Sequence, residues 1–410
     1  MKGPAGASRN KQAGGVGHAK KRARDLGIPL SGTPGTYDAI TDVHGVEVGH
    51  ATLITGEGRL VVGKGPVRTG VTAILPRGKD AHDPVFAGTF VLNGNGEMTG
   101  TAWVEESGFL SGPIMITNTH SVGVVRDAVV AWLAARDPKL TWALPVVAET
   151  FDGMLNDING FHIGKEHAFA ALAYAAPGPV GEGNVGGGTG MICHEFKGGI
   201  GTASRVLGPA DGSYTVGVLV QCNHGRRLDL TIAGVPVGRE IQDLMPCYAA
   251  EAPPARAWLK DALPRCGDAT RGDAARGKAD TRAGRGSIIV VVATDAPLLP
   301  HQLKRLARRT ALGLALVGGR GHNDSGDLMI AFSTASPGTA AAPAANVTML
   351  ANDKIDGLFV ATVEATEEAI INAMLAAETM TGADGVRVHA LPLDRLVDVL
   401  RCYNRLAPTS

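Results

Sequence analysis

Over residues 253–285 the chain is polar and rich in Gly, Ala and Arg, and at Gly286-Ser287 it turns without a graded boundary into Ile288-Ile289-Val290-Val291-Val292-Ala293-Thr294. A run of such β-branched, apolar residues reads as a buried strand. A serine therefore opens that strand, directly after a residue with no side chain. Its hydroxyl is well placed to attack the preceding carbonyl. An N-to-O acyl shift there, followed by hydrolysis, would cut the chain and leave Ser287 with a free α-amine beside its hydroxyl. Such an amine has an unperturbed pKa of about 7.7–8.0, so it would serve as a general base near neutral pH. The plain alternative is a surface loop entering an ordinary core strand, and this stretch alone favours that alternative.

The remaining chain narrows the choice. With 410 residues a sizeable core is available. Lys plus Arg and Asp plus Glu number 39 each, so no net field favours nucleic acid or an anionic membrane, and small-molecule chemistry is the better expectation. The 56 glycines are scattered through apolar segments without a collagen-like period, which implies many tight turns and close backbone approaches. Cys193, Cys222, Cys247, Cys266 and Cys402 are odd in number, far apart, and form no C-x-x-C pair. Free thiols in a reducing, cytoplasmic setting fit that pattern, with neither a disulfide framework nor a zinc site. Residues 1–24 are basic and Gly/Ala-rich without an apolar h-region, so they read as a disordered tail and not as a signal peptide. No uninterrupted apolar run elsewhere is long enough to span a bilayer.

Order is expected from Ile40, with residues 40–53 as strand, turn and strand, followed by strands over 71–75 and 85–93. Strands that follow one another without alternating helices argue for antiparallel or mixed sheets. The apolar spacing predicts helices over 122–133, with a Thr or Ser cap, and over 162–174. A strand at 146–150 lies between them, and a strand pair surrounds Thr202 and 214–222. After Ser287 the order becomes strand 288–294, helix 300–317, strand 328–333, strand 357–363, helix 367–380 capped near Thr366, and helix 393–403. Each helix carries one apolar stripe, so helices cover the outer faces of the sheets. The fold class is α+β: an αββα four-layer sandwich of two mixed or antiparallel sheets.

Single motifs carry little weight. The loop Gly186-Gly187-Gly188-Thr189-Gly190 suggests phosphate cradling, but it lacks the G-K-[ST] ending of a P-loop and the strand–helix setting of a Rossmann turn. Asp324-Ser325-Gly326 is similar to the Asp-Ser-Gly of trypsin-like proteases, yet no matching His segment or run of barrel strands accompanies it. The pairs His162 and His167, and His44 and His50, are not the i, i+4 pair of a zincin helix. No metal and no cofactor are implied.

Taken in order, Glu149-Thr150-Phe151-Asp152-Gly153, Gly186-Gly187-Gly188-Thr189-Gly190-Met191, Asn223 after its strand, Gly286-Ser287 and Asn323-Asp324-Ser325-Gly326-Asp327 resemble the DmpA-type, or β-aminopeptidyl, aminopeptidases. These self-cleaving N-terminal-serine hydrolases share the αββα sandwich. The resemblance covers about residue 22 to the end. It implies a larger subunit over 25–286, with a flexible linker at about 253–286, and a smaller one over 287–410, the two forming one catalytic domain. Tetramers of such pairs are implied as well.

Carried over position by position, the resemblance makes Ser287 the nucleophile and Asn223 the donor to the oxyanion. Ser325 and Asp327 become the relay that orients and deprotonates Ser287, and Glu149 the partner of the substrate's ammonium. Phe151, where some members carry tyrosine, reads as a pocket wall, and Trp142 as lining the same pocket. Asp327 is one carbon shorter than the glutamate of some members, and the 253–285 segment is longer than usual. The expected substrates are short peptides, amides or esters with a free N-terminal amine. Two alternatives remain: a related self-cleaving hydrolase of amide oligomers, and a non-enzymatic binding protein built on the glycine loop.

Overall fold

The computed structural model describes residues 21–260, 263–268 and 286–406. The strands are β1 Glu47–Thr55, β2 Val67–Leu75, β3 Val85–Gly94, β4 Phe109–Leu110, β5 Ile114–Asn118, β6 Val146–Thr150, β7 Ile192–Cys193, β8 Phe196–Lys197, β9 Gly199–Val206, β10 Thr215–Asn223, β11 Cys247–Tyr248, β12 Gly286–Thr294, β13 Ser325–Ser333, β14 Met380–Thr381 and β15 Val386–Val388. The helices are α1 Thr101–Ser107, α2 Val122–Arg136, α3 Lys165–Tyr174, α4 Val237–Glu240, α5 Ala257–Lys260, α6 Pro300–Leu316, α7 Asp356–Leu375 and α8 Leu393–Cys402.

Two sheets face each other, one ordered β1-β2-β5-β6 and the other β4-β3-β13-β12-β10-β9. Both are mixed: β5 and β6 run parallel, as do β12 and β13, while the other ladders in the two sheets are antiparallel. The period-2 alternation of strand side chains assigns the layers. In β12, Ile289, Val291 and Ala293 enter the core between the sheets, together with Ile330 and Phe332 of β13 and Ile74, Ile116 and Ala148 of the first sheet. Ile288, Val290 and Val292 point the other way, into a layer with Leu303 and Leu306 of α6 and Ile370 and Met374 of α7. Val71, Ala73, Met115 and Val147 of the first sheet meet Val125 and Val129 of α2 and Ala168 and Leu172 of α3. With both faces covered, β12 is apolar at nearly every position, which is why it read as a continuous run. The αββα sandwich expected from the sequence is the architecture found.

Local expectations needed correction in several places. Ile40–Asp42 is a 3-10 turn, and residues 357–363 are the first turns of α7. The β-branched composition of 358–363 yields to packing, since tertiary context overrides propensity. α7 lies so close to β9 that a Cβ on Gly201 would stand 2.0 Å from the carbonyl oxygen of Ala369. Thr366 sits mid-helix, its hydroxyl donating to the Thr362 carbonyl at 2.7 Å, and is no cap. Ser121 occupies the N-cap of α2 without a side-chain capping bond. The N-terminal boundary moves earlier: Ala23 is fully buried, and the Arg22 guanidinium pairs with Asp38 at 3.2 Å and Glu182 at 2.9 Å. The rest of the expected tail, and 261–262 and 269–285 of the expected linker, lie outside the described residues.

The free-thiol reading is overturned for four of the five cysteines. Cys193–Cys222 and Cys247–Cys266 are disulfides, and Cys402 is free and exposed. Spacing could not show these pairs, because β7 meets β10, and residue 266 meets β11, only through the fold. The argument for a reducing compartment therefore loses its basis. No helix among the described residues is long and apolar enough to cross a membrane.

Candidate active site

β12 is a central strand, and its first residues lie between the end of β10 and the start of β13. Ser287 is the register partner of Asn223 on the antiparallel side and of Gly326 on the parallel side, while Gly286 pairs with Ser325. Because β13 runs parallel to β12, its opening residues arrive at the same end of the sheet as Ser287. Three expected site residues from distant parts of the chain thus meet around one strand terminus.

The polar contacts are specific. Ser287 is 5% exposed, and its Oγ accepts the Gly326 N–H at 3.2 Å. The Ser325 hydroxyl donates to Asp327 Oδ1 at 2.6 Å. Burial raises the Asp327 carboxyl above its ordinary value, opposed by the Ser325 hydroxyl, the Ile288 N–H and nearby His322. Asn223 Oδ1 accepts the Ile192 N–H at 2.8 Å, and this fixes the orientation of the amide. Its Nδ2 donates to the Phe151 carbonyl at 3.1 Å. An amide nitrogen carries two N–H groups and that bond engages one of them, so the group is a hydrogen donor beside Ser287.

Glu149 is buried near the C-terminal end of β6. Its carboxylate accepts the Glu97 N–H at 3.0 Å and a short bond from the Thr119 hydroxyl. Burial raises this carboxyl above its ordinary value, while those two donors oppose the shift. Gly96 links it to the serine: a Cβ there would lie 3.3 Å from Glu149 Oε1 and 3.2 Å from the Gly326 Cα. A carboxylate and a hydroxyl are thus set on two sides of one short backbone segment. The Phe151 ring is 43% exposed and meets Trp258 edge-on, with centroids 6.1 Å apart.

Trp142 is exposed and packs on Trp103, with centroids 5.5 Å apart, on the segment that precedes β6. Sequence reasoning missed Thr119, read only as a helix cap, and Gln221, whose Nε2 ties the sheets together through the Thr117 carbonyl at 3.0 Å and Thr150 Oγ1 at 2.8 Å. Neither residue carries a local signal of these contacts. The glycine loop holds no open cradle for an anion. Its Gly186, Gly187 and Gly188 N–H groups donate to Thr52 Oγ1, Thr72 Oγ1 and the Val185 carbonyl, so they serve the fold. The described residues include one Cys/Cys/His group, Cys193, Cys222 and His224, with ligand atoms within 4.8 Å, but its two sulfurs are joined to each other.

A serine opening a central strand of an αββα sandwich, with an amide donor on one neighbouring strand and a hydroxyl–carboxylate pair on the other, defines a hydrolase of the N-terminal-nucleophile class. Residues 38–388 match peptidase family S58, and the chain belongs to that family. It is 54% identical over 399 residues to the β-peptidyl aminopeptidase BapA of Sphingosinicella microcystinivorans, covering 96% of each chain. It is 47% identical over 390 residues to BapA of Sphingosinicella xenopeptidilytica, covering 93% of this chain and 92% of that one. Among solved structures it is similar to the L-aminopeptidase D-Ala-esterase/amidase of Ochrobactrum anthropi, described as a prototype of the serine aminopeptidases with a variant Ntn hydrolase fold. That match has a TM-score of 0.81 and 46% identity, covering 94% of this chain and 99% of the other. The protein is a hydrolase of the serine aminopeptidase type, and this reading is supported over the binding-protein and amide-oligomer alternatives.

Proposed function

We propose that the Gly286–Ser287 bond is the one cut, and that Ser287 then releases the N-terminal residue of a substrate whose free ammonium rests on Glu149. The α-amine freed by the cut takes the proton from Ser287 Oγ, which attacks the substrate carbonyl. Asn223 Nδ2 donates to the oxygen that becomes negative, and collapse expels the amine or alcohol of the leaving group. Water then hydrolyses the acyl-enzyme ester by the same route. Ser325 and Asp327 orient the attacking group, with Asp327 as the hydrogen-bond acceptor that holds the Ser325 hydroxyl. The observation that carries this reading is the meeting of Asn223, Ser287 and Ser325 across three adjacent strands.

Because the relatives named above are β-peptidyl aminopeptidases, we extend the proposal to N-terminal β-amino acid residues. The strands that follow the cut, β12 and β13, lie side by side between β3 and β10 of the same sheet, so the two pieces would stay together. Assembly of cut pairs into a tetramer is part of the same proposal, and sedimentation equilibrium measures it. The deciding experiment is the intact mass of wild type and Ser287→Ala. Wild type should give two chains whose masses sum to the parent plus one water, and the variant one uncut, inactive chain. Active wild-type protein that remains a single chain would overturn the assignment.

A further inference from the structure

Residues 247–260 and 263–266 belong to an excursion whose two ends are held together. Cys247 of β11 is bonded to Cys266, the Cys266 N–H donates to the Tyr248 carbonyl at 2.9 Å, and β11 pairs with β15. Within it, Arg256 is pinned from several directions. Its Nε donates to Asp384 Oδ2 at 3.0 Å, its Nη2 to the Met154 and Ala383 carbonyls at 3.1 and 3.0 Å, and its Nη1 to the Gly153 carbonyl. Gly153 and Met154 follow Phe151 almost directly in the chain, so this clamp joins the excursion to the segment that leaves the active-site strand β6. The next residues form α5. There Leu259 is fully buried among Leu155, Met380, Val386 and Val388, while its neighbour Trp258 reaches the Phe151 ring.

The anchors also bear on the aromatic pair, since the Arg256 guanidinium lies over the Trp258 ring, 5.8 Å from its centroid. Arg256, Leu259 and the disulfide hold the excursion in place, and Trp258 is 38% exposed beside a Phe151 that is 43% exposed. Two adjacent, partly exposed aromatic rings next to a cluster of buried polar groups make a surface suited to contact an apolar side chain. Their position is specific, because the Phe151 carbonyl is the acceptor of Asn223 Nδ2.

We infer that Trp258, carried by this clasped excursion, forms with Phe151 an aromatic wall that selects substrates whose N-terminal residue has a bulky apolar side chain. The inference rests on the proposed roles of Glu149 and Ser287, which hold the ammonium and the carbonyl of that residue and so direct its side chain along one wall of the site. Trp258 acts as a specificity-determining residue; it takes no part in bond making.

The test compares kcat/KM for free-amine p-nitroanilides of β-homophenylalanine and β-alanine in cut wild type, Trp258→Ala, Trp258→Phe and Arg256→Ala. Loss of the ring should lower kcat/KM for the bulky substrate about tenfold, the scale expected for losing one apolar contact surface, and change that for β-alanine less than about twofold. Trp258→Phe should retain most of the preference, and Arg256→Ala, which unpins the wall, should lose it as Trp258→Ala does. Should Trp258→Ala fail to accumulate as cut protein, Trp258→Leu keeps the apolar bulk without the ring, and the same ratio decides. Equal effects on both substrates, or none on either, would overturn the inference. A wild type that hydrolyses N-acetylated substrates as well as free amines would instead remove the Glu149 reading, a separate outcome from the bulky-to-small ratio.

Discussion

Asn223 and Ser287 are directly opposed across the antiparallel pair of β10 and β12, so the amide donor and the hydroxyl start from facing backbone positions on one rigid sheet. The amide is locked by the Ile192 N–H, which leaves its nitrogen side to act as donor. Removing a donor of this kind costs about 10²–10³ in kcat where it stabilises an oxyanion. In protein already cut, Asn223→Ala should therefore lower kcat by about that factor and move KM far less, in steady-state assays with the cut state checked by mass. An unchanged kcat would remove Asn223 from the oxyanion site.

Gly286 is constrained by the same strand. A Cβ on it would lie 2.1 Å from the Asn223 carbonyl oxygen and 2.9 Å from the His224 Cα, both backbone atoms with little freedom to yield. Gly286→Ala should push β10 and β12 apart at the bond to be cut. We expect a single band on a denaturing gel where wild type gives two. Cutting at the wild-type rate would show that this close approach is not needed for maturation.

Glu149 separates a free-amine exopeptidase from a general amidase. A buried carboxylate gains a charge-assisted bond from an ammonium and loses it with an acetylated substrate. Wild type should discriminate between an amino acid p-nitroanilide and its N-acetyl form by about 10²-fold or more. Glu149→Gln should erode that ratio by slowing the free-amine substrate, and leave the two-chain pattern on the gel intact, because self-cleavage presents no ammonium. Equal turnover of the two substrates by wild type would refute the role.

Asp152 offers a stability test. It is fully buried and pushed up to about 7 by that burial, against hydrogen bonds from Thr69, Asn156 and Asn118. An unfolded aspartate titrates near 3.9, at about the ordinary value. The folded state thus holds a proton that the unfolded chain has lost between about pH 4 and 7. Stability from this group is complete below the unfolded pKa and declines as pH rises to about 7, by at most about 1.4 kcal/mol per pH unit. In urea denaturation, Asp152→Asn should gain stability relative to wild type across that window and level off above it. A pH-independent difference would show that Asp152 does not hold its proton there.

Much of this was legible locally because strands and helices bury their faces with characteristic periods. The apolar run of β12, the Gly286-Ser287 step at its start, and the stripes of α2, α3 and α6 all report burial of one element at a time, and the spaced motifs around Asn223, Ser287 and Ser325 pointed to one family. Residues 358–363 misled because a β-branched run describes a buried surface and not the backbone that carries it; they are the opening turns of α7, which packs on β9 further along at Ala369.

The amino-acid sequence by itself determined where the chain changes character, which residues carry nucleophile, donor and carboxylate chemistry, and the layering of sheets and helices. Only the tertiary structure decided which strands become neighbours, and with that the pairing of Asn223 with Ser287, the bond from Thr119 to Glu149, the joining of Cys193 to Cys222, and the contact of Trp258 with Phe151. The physical reason is that periodicity is a property of one segment, whereas strand order and loop docking depend on contacts between segments far apart in the chain, which local propensity does not encode.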